Sequence, residues 1–422
     1  MAAQPEQASI LSFEEARALV EGHASRLRPS GRELLGILDA QGRVLAEPIH
    51  ADRDFPPFPR VTRDGYAVRT SDLGKLPAEL QIIGEIKAGE SPSALSVESG
   101  QAAAIMTGAP APNGADAVVM IEHTSRVGDR LHVTRGVVAD ENIVAAGAEA
   151  KRGDKLLEPG VRIGHAEVAV AASVGRSRIV VYSKPRVAVL STGDEVVDVD
   201  IPPGPNQIRN SNSFSLAAQI QTAGGEAVVL PIAPDEPKRL RELLIEGLHE
   251  DLLLVTGGVS MGKYDLVEQE LAGLKAEFFF TGAQIQPGKP VVFGRVPCGA
   301  DTLVRESRAG HKYLLGLPGN PISTMVTFEL FAKPMLEALA GMSSRKLFFT
   351  HAKLKSEVRT RTGLKRFLPA LLSGEFEHSE VELVRWQGSG DIASVARANC
   401  YAVIPPDRER IEAGEWVPVL LR

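Results

Sequence analysis

From Pro185 onward the apolar positions fall into short solid runs separated by longer amphipathic stretches. Val187-Ala-Val-Leu190, Ala227-Val-Val-Leu230 and Leu252-Leu-Leu-Val255 are unbroken apolar blocks of strand length. Strands covered on both faces read this way. Between them, Ser211 to Ala223 and Pro237 to His249 have helical spacing. Ser211 or Asn212 is placed to cap the first of these, and Gly224-Gly225 to stop it. A helix is expected after Asp265, with further strands at Glu277 to Phe280, Val291 to Phe293 and Tyr313 to Gly316. A long helix is expected from Pro321 to Ala340. Strand and helix in alternation predict a parallel, doubly wound sheet.

The pattern differs on either side. Ser12 to His23 predicts a first helix, with Ser12 as N-cap and Glu14 and Glu15 in the first turn. Gly42 to Ala51 reads as a short extended or helical connection. From Asp52 to Ala145, β-prone runs (near Gln81, Ala103 to Met106, Ala117 to Ile121 and Leu131 to Thr134) alternate with Gly/Pro turns. Lys155 to Ser173 returns to helical character, so the two helical stretches are expected to pack together around an inserted β unit. After Ser343 the chain becomes β-like again, at Leu364 to Leu372, Val381 to Trp386 and Ala402 to Pro405. The expected units are 8–51 with 146–184 (helical segment and linker), 52–145 (inserted β), 185–341 (central doubly wound α/β) and 345–422 (small C-terminal β). The fold class is therefore multidomain α/β plus β.

Composition narrows the function. A chain of 422 residues exceeds one domain. A net charge of −6 without any basic block argues against nucleic acid as partner. The two cysteines, Cys298 and Cys400, lie far apart. They make no disulfide framework and no Cys-based metal site, as in a reducing compartment. Residues 1–9 lack the charged start and apolar core of a signal peptide, and no apolar run is long enough to span a bilayer. A cytoplasmic protein without a membrane segment is expected.

Three loops leave the central strands in comparable positions, where open α/β sheets bind ligands. They are Ser191-Thr-Gly-Asp-Glu195, the loop Thr256-Gly257-Gly258 running on through Ser260 to Asp265, and Leu317-Pro318-Gly319-Asn320-Pro321-Ile-Ser323. In the third, Asn320 is a natural N-cap, Pro321 suits the first helical position, and Ser323 falls among unpaired amides. A capped helix with nothing bound fits equally well. Lys289, held between prolines in Gln286-Pro-Gly-Lys-Pro290, would place an ammonium beside these donors, or mark an ordinary turn. Among acidic residues, Asp194 and Glu195 end a strand and could hold Mg²⁺, which takes a few carboxylates plus substrate phosphate. Asp251 starts a strand, an unusual place for a charge. Asp265 could be only an N-cap, and Asp64 only an Asp-Gly turn. His123, His165 and His311 have no ligand spacing, so zinc is not expected. P-loop, nucleophile-elbow and dinucleotide signatures are absent.

Taken together, these pieces resemble the molybdopterin molybdenumtransferase family, which includes the C-terminal domain of gephyrin. The matching segments are Asp64-Gly-Tyr-Ala-Val-Arg69, Met106-Thr-Gly-Ala-Pro110, Gly114-Ala-Asp-Ala-Val-Val119, Ser191 to Glu195, Thr256-Gly-Gly-Val-Ser260, Pro287-Gly-Lys-Pro290 and Gly316-Leu-Pro-Gly-Asn-Pro321. They occur in the family's order along nearly the whole chain. The resemblance implies a homodimer whose active cleft joins the α/β unit of one chain to the inserted β unit of the other. It also implies insertion of molybdate into adenylylated molybdopterin, with release of AMP and with Mg²⁺ as cofactor. By the same resemblance Asp64, Glu195, Asp251 and Asp265 would be catalytic, with Asp64, Glu195 and Asp265 on the metal. Thr107, Thr256, Gly257, Gly258, Ser260, Lys289, Pro290, Pro318, Gly319, Asn320 and Ser323 would bind substrate. The chain departs from the family pattern at Glu149, at Val144 to Ala146, at Gln286 and at Leu364, where some relatives carry an arginine near molybdate. Rival readings are a molybdopterin adenylyltransferase and a non-catalytic molybdopterin-binding scaffold. Tungstate in place of molybdate is indistinguishable by sequence.

Overall fold

Side-chain alternation along the central strands sets the architecture. In the computed structural model, which describes residues 10–91, 93, 95–258, 266–298, 310–343 and 346–422, Val187 and Val189 face one apolar core. Ala188 and Leu190, one residue out of phase, face another. Leu252 and Leu254 repeat the division against Leu253 and Val255. A strand with apolar residues at every position must be covered twice, and this sheet is. Helix Ser211–Ala223 and the helical stretch from Pro321 to Leu339 cover one face; Pro237–Gly247 and Leu266–Gly273 cover the other.

The strand order across this sheet is Glu226–Val229, Arg186–Ser191, Leu252–Thr256, His311–Leu317, Val292–Pro297, Glu277–Phe280. The first four run parallel; Val292–Pro297 and Glu277–Phe280 are then added by successive antiparallel pairings, so the sheet is mixed rather than wholly parallel. Helix Ser211–Ala223 is capped by Asn210, whose side chain accepts from the Ser213 amide at 3.1 Å, rather than by Ser211 or Asn212.

The first helix, Phe13–Ala24, begins with a capping box. Ser12 Oγ accepts from the Glu15 amide and the Glu15 carboxylate accepts from the Ser12 amide. Its packing corrects the sequence expectation. Phe13, Ala16, Val20 and Ala24 join the α/β core, and Ile10–Leu11 pairs with Gly282–Ala283. It does not join helix His165–Ser173, which lies in a separate core with Ala40, Leu45 and Ile49. That core is framed by strand pairs Arg32–Gly36 with Arg178–Tyr182 and Ile49–His50 with Lys155–Leu157. Lys155 to Leu157 is thus strand, and helix starts only at His165.

The long expected helix from Pro321 is continuous but widens into a π-helical turn at Phe328–Ala332, just ahead of Pro334. Proline has no N–H and its ring crowds the carbonyl four residues back, which a wider turn relieves.

The inserted β unit is a six-stranded sheet, ordered Ala117–Met120, Gly65–Val68, Gln101–Ile105, Ala78–Ile86, Arg130–Val133, Thr124–Val127. The C-terminal unit closes on itself: Lys365–Ser373, Glu380–Leu383, Phe349–Leu354, Trp416–Leu421 and Cys400–Ile404 form a ring of pairings that returns to Lys365–Ser373, a small barrel. Ile285–Gln286, from the α/β unit, adds to Lys365–Arg366 in parallel.

Candidate functional site

All four parallel strands end on one edge, and the loops leaving three of them line a cavity of about 390 Å³. Glu195, Thr256, Gly257 and Gly258 lie on its wall. So do Pro290, Pro318, Gly319 and Asn320. The loops are laced together. Thr192 N–H donates to Thr256 O at 3.0 Å, and Gly257 N–H to Leu317 O at 3.4 Å. Thr256 Oγ1 donates to Pro318 O at 3.2 Å and accepts from Asn212 Nδ2 at 3.0 Å; the same Asn212 amide donates to Gly319 O at 2.7 Å. Gly257 has φ +90°, and a Cβ there would sit 2.6 Å from Thr192 O. Only glycine lets the second loop press this closely on the first.

A fourth loop, after strand Glu226–Val229, reaches the same edge and was missed in the sequence reading. Ala233 N–H donates to Ser191 O at 2.8 Å and Gly193 N–H to Ala233 O at 3.1 Å, so this loop zips onto the first. Asp235 N–H then donates to Asp194 Oδ1 at 3.0 Å. The Asp235 carboxyl is held above its ordinary range, first by desolvation and then by the charges of Asp194 and Glu195. Its signal was available: the strand is parallel to the other three, so its exit loop shares their edge.

Asp251 does not belong here. It precedes strand Leu252–Thr256 and so stands at the opposite edge, five residues or roughly 16 Å from the cavity end. Its Oδ2 accepts from the Arg186 amide at 2.8 Å, joining the starts of two strands. A catalytic role for Asp251 is therefore withdrawn.

Asn320 occupies the N-cap position with Pro321 behind it, but its side chain makes no capping bond. The amides beyond it are not all free, since Ile322 N–H donates to Ser389 O of the C-terminal unit at 3.0 Å. Ser323 is buried in the first turn and Lys289 is exposed. Neither lies on the cavity wall itself. Ser260 and Asp265 lie outside the described residues.

Asp64 and Thr107 meet each other on the inserted unit. Asp64 Oδ1 accepts from Thr107 N at 2.6 Å and from Thr107 Oγ1 at 2.8 Å, and these bonds hold its carboxyl below the usual range. Both residues are exposed. Among the described residues no hydrogen bond or ion pair joins Asp64 to Glu195, and no three His, Cys, Asp or Glu side chains are placed to hold a metal. Glu149 is engaged by Arg60 at 2.7 Å. Lys365 pairs with Glu14, and Arg366 is buried with one donor on Leu364 O at 3.1 Å.

Comparison with known proteins covers almost the whole chain. Residues 11–175 match the MoeA N-terminal region (domain I and II), residues 188–338 a probable molybdopterin binding domain, and residues 351–421 the MoeA C-terminal region (domain IV). The molybdopterin molybdenumtransferase of Nostoc sp. is 33% identical over 92% of this chain and 88% of its own length. The chain belongs to the molybdopterin molybdenumtransferase family. The family member from Synechococcus elongatus is 32% identical over 97% of this chain and 99% of its own. Crystal structures of molybdopterin biosynthesis moeA proteins from Pyrococcus horikoshii agree. One is 30% identical with a TM-score of 0.69, covering 98% of this chain and 99% of that one. Another is 26% identical with a TM-score of 0.75, covering 98% and 100%. The multidomain α/β fold with a small C-terminal β unit is thus that of the molybdenumtransferase family.

Proposed function

We propose that this chain inserts molybdate into adenylylated molybdopterin, releasing AMP and giving molybdenum cofactor. The observation that carries the reading is the cavity at the strand exits, whose glycine-tight backbone and hydroxyl lining suit a pyrophosphate-bearing ligand. Family membership over residues 11–421 supplies the reaction. Gly257, Gly258, Pro318, Gly319 and Asn320 form the floor, and Thr256 holds two of its loops together. Lys289, Pro290, Ser323 and Ser260 complete the substrate contacts, with Thr107 beside Asp64 on the second wall.

Carboxylates crowd together at Asp194, Glu195 and Asp235, the last with its carboxyl raised by burial and then by its neighbours' charge, and this is donor chemistry that a divalent cation neutralises. Glu195, with Asp265 and Asp64, would hold Mg²⁺. When bound it would offset charge on the departing AMP. The protein's own part is to hold the phosphoanhydride and oxyanion in line and to keep them from water.

Asp64 sits on another unit, so we assign the active cleft to a homodimer, with Asp64 facing the loops of the partner subunit. Helix His165–Ser173 supports this: it is apolar, yet Ala171 is its one buried residue in the single chain, while Ala166, Ala169 and Ala172 are exposed. The working boundaries are 52–145, 185–341 and 345–422, and the unit expected over 8–51 with 146–184 divides, its first helix going with the α/β core. A cytoplasmic setting fits the lack of a disulfide at Cys298 and Cys400 and, among the described residues, the absence of any helix long and apolar enough to cross a membrane.

The test is AMP release from adenylylated molybdopterin by the purified chain, with molybdate and Mg²⁺. Molybdate-dependent release that is lost in Glu195→Gln and Asp265→Asn supports the transferase. Tight pterin binding without turnover would replace it with the scaffold reading, which the scattered acidic set of the single chain favours. Consumption of ATP with unmodified molybdopterin would replace it with the adenylyltransferase.

A further inference from the structure

A second, basic cavity of about 420 Å³ lies away from the strand exits, lined by Arg28, Pro29, Ser30, Gly31, Arg32 and Tyr182. It sits where the chain crosses between units. Residues 25–31 lead from helix Phe13–Ala24, in the α/β core, to strand Arg32–Gly36. Residues 183–185 lead back from strand Arg178–Tyr182 to Arg186–Ser191. The two crossings touch. Ser183 N–H donates to Gly31 O at 3.0 Å, and a Cβ at Gly31 would sit 2.8 Å from Ser183 Oγ. In a chain of net charge −6, this stretch carries Arg26, Arg28 and Arg32 and no acidic residue from Gly22 to Gly31.

The cationic side chains are held in place. Arg28 Nη1 donates to Ser25 O at 3.0 Å and to Leu27 O at 2.7 Å, which leaves its Nε and Nη2 donors for another partner. The Arg32 guanidinium lies over the Tyr182 ring, 5.7 Å from its centroid. Tyr182 in turn packs on Gly341 so closely that a Cβ there would strike the ring. Among the described residues neither guanidinium has an acidic partner. Glu33 is next in sequence, but Arg43 engages it at 3.0 Å, and Lys184 is also within electrostatic reach of that carboxylate.

Two fixed cations without a counter-charge repel each other, and an anion between them removes that cost. A guanidinium only donates, and its planar fork matches the oxygens of phosphate. The Tyr182 and Ser30 hydroxyls can donate to the same ligand. We infer that this pocket is a second anion site, which takes a phosphate-type tetrahedral oxyanion, free or as the phosphoryl end of a small ester. Because its walls come from both crossings, the bound oxyanion clamps the α/β unit to the unit that holds strands Arg32–Gly36 and Arg178–Tyr182. The site is independent of the transferase reading.

Calorimetric titration of the full-length chain with inorganic phosphate, at constant ionic strength, tests this. The cavity at the strand exits can also take phosphate, so the comparison is with Arg28→Gln/Arg32→Gln, which leaves that cavity untouched. One saturable binding event should weaken by roughly tenfold or more in the double variant, as expected when charge-assisted bonds from two guanidinium groups are lost. Phosphate should also raise the Tm of the wild type by more than that of the variant. Both positions are exposed, and a cooperative melt shows that the variant is folded. Phenyl phosphate separates the two sources: tighter binding than phosphate assigns the site to an ester, equal or weaker binding to the free anion. Equal affinity of wild type and variant for phosphate overturns the inference, as does wild-type binding that does not saturate below about 10 mM.

Discussion

The Arg17 guanidinium donates to the backbone carbonyl of Leu330, 313 residues away in sequence. Four residues beyond Leu330, where a helix would supply the donor, stands Pro334. The N-terminal helix thus completes a helix of the α/β core. Arg17 is 7% exposed, and its other partner is Glu21 at 2.7 Å. Arg17→Leu is expected to cost about 1–3 kcal/mol in chemical denaturation, since it strips a donor from a buried carbonyl. Pro334→Ala should recover part of that loss in the double variant by restoring an N–H. Strict additivity of the two changes would refute the coupling.

Thr107 sets the ionisation of Asp64. Its two bonds favour the carboxylate, so Asp64 stays ionised to lower pH than an ordinary aspartate. Thr107→Val removes one bond and should move the acidic limb of the AMP-release profile to higher pH, with the alkaline side unchanged. An unmoved acidic limb would mean that Asp64 is not the group titrating there.

Asp235 runs the other way. Its carboxyl is raised by burial and by Asp194 and Glu195, so folding favours its protonated form. The stability it contributes is present below the ordinary aspartate range and is lost as pH rises through the raised value. Asp235→Asn should therefore raise Tm at neutral pH but not well below the ordinary aspartate pKa of about 3.9, where both states are protonated. A gain of equal size at both pH values would argue for better packing instead.

Gly257→Ala tests how tightly the first two loops are pressed together. A Cβ 2.6 Å from Thr192 O, on a backbone at φ +90°, forces the loops apart at a cost of about 1–3 kcal/mol. Pterin binding should fall by far more than stability does. Equal binding to the wild type would show that the substrate lies elsewhere.

Asp251→Ala separates position from resemblance. Its carboxylate ties the Arg186 amide at the far edge of the sheet. Turnover should persist while stability drops by about 1 kcal/mol. A selective loss of turnover in a fully folded variant would restore Asp251 to the active site.

The central fold was legible because buried strands and amphipathic helices write themselves in hydrophobic period. Val187 to Leu190 and Leu252 to Val255 could be placed from that alone. The docking of Phe13–Ala24 could not. Phe13, Ala16 and Val20 declare a buried face but not what it is buried against, and the answer was Phe331 and Phe367 rather than the later helix. Motif resemblance found Glu195 and the three glycine loops, yet it counted Asp251 as catalytic although it starts its strand, and it passed over Asp235. An aspartate looks the same at either end of a strand; only the sheet's polarity tells them apart. Asn212 was read as a cap, because its bonds run to loops 44 and 107 residues away.

The two-residue strand Ile285–Gln286 lies in the C-terminal barrel, one step before Pro287 and the turn that carries Lys289. A rigid barrel therefore acts as a lever on one wall of the cavity. Cutting the chain after residue 343 would not leave a trimmed enzyme. It would strip the Lys289 turn of its pairing strand and free the Ile322 amide from Ser389, so the last fifth of the chain is part of the binding apparatus rather than an appendage to it.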